Sequence, residues 1–91
     1  MISTTFQAPA QLTSAECGQL LNALDALLAQ GDAQIDFSGV TALDSSAVAL
    51  LLEWQRRAQK AQRQLNWIAP PATLQQLVGV YGVQDFLQIT P

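Results

Sequence analysis

Residues 47–52 form a run of six consecutive apolar residues that ends at the acidic Glu53. A membrane-spanning helix needs about 20 such residues, so the run predicts a buried helix of a folded domain. Asp44 stands before two serines and is typical of a helix N-cap. We expect the helix to begin at Ser45 or Ser46 and to end near Gln62. Its first half is apolar on nearly every side, so a sheet and neighbouring elements must cover it.

The segments around this helix alternate between strand-like and helical patterns. Strands are predicted at residues 2–6, 34–38 and 65–69, the second continuing through residues 40–43 after a bend at Gly39. A helix with an apolar stripe should run from a capping box at Thr13 and Glu16 to a left-handed stop at Gly31. Another helix should cover residues 72–81 and end at Gly82, followed by a tail in which Val83, Phe86 and Leu87 cover a sheet edge.

This order of elements predicts a small α/β fold with a mostly parallel sheet and helices packed on it. A chain of 91 residues has room for one domain with a modest core, so we assign residues 1–91 to a single domain. The sheet should have four strands or fewer, and we expect only one of them before the first helix.

Composition excludes several classes of function. The chain has no histidine and a single cysteine, Cys17, which argues against a disulfide, a histidine-based catalytic triad and a zinc site. The net charge of −3 and the lack of a basic arm argue against a nucleic-acid partner. The N-terminus lacks the features of a signal peptide. We therefore expect a cytoplasmic protein with no catalytic residues, metal or cofactor.

Asp44, Ser45 and Ser46 form the first candidate site, and the spacing leaves two interpretations open. Asp and Ser are favoured at helix starts for capping alone. The same geometry would tolerate a phosphate on Ser45, because the start of a helix presents free amides and the positive end of its dipole. Such a phosphate would place about two negative charges beside Asp44 and change the surface that a partner meets.

The second candidate site is a basic cluster that contains every positive residue of the chain: Arg56, Arg57, Lys60 and Arg63. Arg56, Lys60 and Arg63 are predicted to share one helix face. Cations near a helix C-terminus complement its dipole, and charge runs on helices are usually solvated. We therefore favour a solvated face over an interface.

Asp36 and Asp44 are the only acidic pair that could serve acid–base catalysis. Nothing else in the sequence supplies a nucleophile with its base or a set of metal ligands. We therefore do not expect an enzyme built on this pair.

Residues 35–54, IDFSGVTALDSSAVALLLEW, resemble the central segment of STAS domains. In that family a strand ending in Asp-Leu-Ser is followed by Asp-Ser/Thr-x-Gly-Leu at the start of a helix. Asp36, Phe37 and Ser38 match the first part, and Asp44, Ser45 and Ser46 match the second. Ala47 stands where the family usually has Gly. The resemblance extends to YGVQDFL at residues 81–87 and so covers nearly the whole chain.

The resemblance implies a protein that binds partners and is not an enzyme, with Asp44, Ser45, Ser46 and Ala47 at the binding surface. Within the family the chain looks most like the STAS subunits of bacterial ABC systems that move phospholipid and maintain outer-membrane asymmetry. That likeness implies docking on the transporter's ATPase subunit and a place beside the inner membrane through that partner. The alternative is an anti-sigma factor antagonist, in which a partner serine kinase phosphorylates the hydroxyl after the Asp, here Ser45.

Overall fold

A computed structural model describes residues 4–89 of the chain and shows helices and strands in alternation. In chain order they are β1 (Thr4–Gln7), β2 (Gln11–Leu12), α1 (Ser14–Leu20), α2 (Asp25–Gln30), β3 (Ala33–Asp36), β4 (Ala42–Leu43), α3 (Ser45–Lys60), β5 (Leu65–Ile68), α4 (Ala72–Tyr81) and α5 (Gln84–Leu87). The predicted first strand began at Ile2, and that residue lies outside the described range. The predicted α/β class is confirmed.

The main sheet has three parallel strands in the order β1-β3-β5. Side chains alternate between its two faces. On the inner face Phe6, Ile35 and Trp67 stand side by side in register, and Ile35 is fully buried. On the outer face Gln34 Nε2 donates to Thr5 Oγ1 at 2.8 Å. The helices therefore cover one apolar face of the sheet. Its three strands agree with the prediction of four strands or fewer.

A second, two-stranded parallel sheet pairs β2 with β4. The expectation of a single strand before the first helix is therefore wrong. The pairing is only two residues long, but Leu12 is fully buried, which secures β2 to the core. Asp44 and α3 follow β4 directly, so this small sheet determines where α3 begins.

Helix α3 is covered on several sides, as its sequence predicts. Leu51 and Trp54 are fully buried, whereas Leu52 is half-buried and Ala49 is exposed. The helix therefore keeps a narrow exposed line along its first half. It ends at Lys60, two residues earlier than predicted, and Gln62 then adopts a left-handed φ of 61°.

The predicted helix from the capping box to Gly31 is divided into α1 and α2. Glu16 Oε1 accepts the Thr13 N–H at 3.0 Å, as the capping box predicts. Side chains of α3 bind carbonyl groups at this break: Trp54 Nε1 donates to Leu20 O at 3.0 Å, which also accepts the Ala23 N–H, and Arg57 Nη1 donates to Leu21 O at 2.9 Å. Gly31 does end α2, but its φ of 169° is extended and not left-handed.

The C-terminal region confirms the end of α4 at Gly82, which has a left-handed φ of 68°. The predicted tail contains the short helix α5, and of the three residues expected to cover the sheet edge, Leu87 is confirmed there. Trp67 of the edge strand β5 donates from Nε1 to Leu87 O at 2.7 Å. Leu87 is buried, whereas Phe86 stays 39% exposed.

The described elements share one hydrophobic core to which both sheets and all the helices contribute. None of the helices among residues 4–89 is both long enough and apolar enough to cross a membrane.

We expect Leu51→Ala to lower the free energy of unfolding by ~2–5 kcal/mol, the usual loss for a buried leucine. Leu21→Ala makes the same truncation at a side chain that is 38% exposed, so its loss should be clearly smaller. Urea unfolding followed by circular dichroism measures both. Equal losses would show that α3 is not packed as described.

Candidate functional site

The start of α3 is held in place by its N-cap. Asp44 has an extended backbone, with φ −134° and ψ −169°, and its Oδ1 accepts the Ser46 N–H at 2.8 Å. The preceding strand β4 is paired with β2. The α3 rim, defined as Asp44, Ser45 and Ser46, is therefore fixed both by the cap and by the small sheet.

The rim residues differ in their exposure. Asp44 and Ser45 are exposed and Ser46 is half-buried. Among the described residues, the Ser45 hydroxyl has no hydrogen-bond partner. Ala47 is fully buried, so it supports the rim from beneath and its side chain does not reach the surface. The helical backbone and the core accommodate an alanine where the family usually has glycine.

Ser45 opens onto an apolar depression between α3 and the end of α4, which we call the Ser45 depression. It has a volume of about 360 Å³ and is lined by Ser45, Val48, Ala49, Leu52, Tyr81 and Val83. Tyr81 is 54% exposed. The sequence did not single out Tyr81 or Val83 as site residues, because only the packing of α4 against α3 brings them beside Ser45.

A second apolar depression lies on the other side of the rim, between α1 and α3, and we call it the α1–α3 groove. Its volume is about 230 Å³, and its lining includes Ser46, Cys17, Gly18, Leu21 and Ala49. Ala49 lines both depressions. The two serines of the rim therefore stand at the mouths of two apolar hollows that one exposed alanine separates.

Two carboxylates, those of Asp44 and Glu16, lie near the Cys17 side of the α1–α3 groove. Burial raises the pKa of the Cys17 thiol, and the nearby charges of Asp44 and Glu16 raise it further. The Thr13 hydroxyl and then the Thr13 N–H hold the pKa of Glu16 below its usual value. Glu16 is therefore ionised at neutral pH.

The Asp36 carboxylate accepts hydrogen bonds from residues close to it. The Ser38 N–H donates to its Oδ1 at 2.9 Å, and Gln7 Nε2 donates to its Oδ2 at 3.2 Å. The Ser38 contacts and then the Gln7 contact lower its pKa, which makes it a weak base at neutral pH. Asp36 therefore orders the turn after β3, and its geometry gives no support to acid–base catalysis with Asp44. Within residues 4–89, no group of three acidic or cysteine side chains could hold a metal ion.

The basic cluster is largely engaged within the chain. Arg57 Nη1 donates to Asn22 Oδ1 at 2.8 Å and to Asp25 at 3.2 Å, joining α3 to the α1–α2 turn. Arg63 Nε donates to Leu28 O at 2.9 Å. Arg63 lies beyond the end of α3, so the prediction that it shares a helix face with Arg56 and Lys60 is wrong. The helix ends three residues before it.

Glu53 connects Arg56 with Arg57. Its carboxylate accepts from Arg56 Nη2 at 2.7 Å and from Arg57 Nε at 2.7 Å. The hydrogen bonds from Arg56 and then from Arg57 lower the pKa of Glu53 from 4.5 to about 2. Most of the cluster thus stabilises the fold, in line with the preference for a face without an interface.

Comparison with known families places almost the whole chain in one group. A family model described as Mlab, STAS domain, matches residues 4–89, a range that contains every described element and the α3 rim. The resemblance found from residues 35–54 is thereby confirmed. No curated protein gives a significant match to the chain.

We expect stability to fall as the pH drops from 4.5 towards about 2, partly through Glu53. Its pKa in the folded protein lies below the ordinary value, so its contribution is complete above pH 4.5 and is lost as the folded carboxylate takes up a proton. Glu53→Gln should reduce stability at neutral pH and flatten the loss across that range. Urea midpoints measured at several pH values test this, and parallel curves for the two proteins would contradict it.

Proposed function

The chain belongs to the MlaB-type STAS domain family, and on that premise we propose that it is a non-enzymatic subunit of a bacterial phospholipid-transport ABC system. In this role it docks on the ATPase subunit from the cytoplasmic side and supports the assembly and activity of the transporter. The transporter in turn maintains the lipid asymmetry of the outer membrane. The STAS family is generally non-catalytic.

The observation that carries this proposal is the exposed Ser45 beside the Ser45 depression. A hydroxyl without a partner among the described residues stands next to the apolar side chains of Val48, Leu52 and Tyr81. Apolar hollows with a few fixed polar groups are typical of binding surfaces, because apolar contact supplies affinity and the polar group supplies specificity.

The rigidity of the rim favours a binding role. The carboxylate of Asp44 and the burial of Leu51 and Trp54 hold the first turn of α3 in one position. A partner that binds a fixed surface loses less conformational entropy than one that must order a loop. Ala47 contributes from beneath, as a buried support for the three exposed or half-buried rim residues.

An anti-sigma factor antagonist is the second candidate, and the exposure of Ser45 favours it as well. The hydroxyl is accessible to a kinase and lies at the start of a 16-residue helix. A phosphate there would face the positive end of the helix dipole and would add negative charge beside Asp44. Its partner would be an anti-sigma factor with serine kinase activity.

Two purified partners distinguish these functions. The chain is titrated with the ATPase subunit of the phospholipid transporter from the same organism, and separately incubated with ATP and an anti-sigma serine kinase. Binding of the ATPase subunit without phosphate transfer supports the first function. Transfer of phosphate to Ser45, located by mass spectrometry, without binding of the ATPase subunit supports the second.

For the α3 rim, we expect Ser45→Glu to weaken binding of the ATPase subunit at least ~30-fold, or ~2 kcal/mol, because it buries an unpaired charge beside Asp44. Ser45→Ala removes one small polar group and should change affinity less than about fivefold. Isothermal titration measures both variants, once circular dichroism shows that they are folded.

The matched control is Arg56→Ala together with Lys60→Ala, at the other end of the same helix. Neither residue lines either depression, so affinity should stay nearly unchanged while stability falls slightly. If Ser45→Glu binds as tightly as the unmodified protein, the α3 rim is only a helix cap. A large loss of affinity in the control would instead place the interface at the basic cluster.

A further inference from the structure

We draw no further inference here: the strongest candidate, the Ser45 depression with the exposed Tyr81 at its edge, belongs to the binding site already described, and nothing in the structure shows what covers it.

Discussion

Trp54 buries its whole side chain in the middle of α3 and still has one polar atom to satisfy, the indole Nε1. An unpaired buried donor is costly, and here it donates to Leu20 O at 3.0 Å, at the end of α1. The indole ring also meets Phe6 of β1 edge to face, with 5.9 Å between the ring centroids. One side chain therefore sets the position of α3 against both the sheet and α1. The α1–α3 groove follows from that position.

The first predicted helix is interrupted between α1 and α2, and arginine side chains stabilise the chain at this interruption. Trp54 and Arg57 donate to the carbonyls of Leu20 and Leu21, where the chain turns before α2 begins. Arg57 also joins this turn to Glu53 through hydrogen bonds, and Arg63 binds the last carbonyls of α2. The positive residues are thereby concentrated at the far end of α3. None of these positive residues lines the Ser45 depression or the α1–α3 groove.

The parts of the fold that depend on local chemistry could be predicted from the sequence. The cap at Asp44, the burial of Leu51 and the end of α4 at Gly82 follow from residue type and spacing. The break between α1 and α2 could not, because the contacts found there join backbone carbonyls to side chains of α3, more than thirty residues away. The pairing of β2 with β4 spans two residues each, too few for a recognisable alternation.

The candidate site divides in the same way. The α3 rim could be found from three adjacent residues, whereas Tyr81 joins it only through the packing of α4. The two interpretations of the rim are also compatible in physical terms. Capping uses the Asp44 carboxylate and the Ser46 N–H, and leaves the Ser45 hydroxyl exposed. Asp44 thus fixes the start of the helix, while the neighbouring Ser45 remains available to a partner. The cap makes recognition possible because it holds Ser45 in one place, at the meeting point of a rigid helix and an apolar hollow.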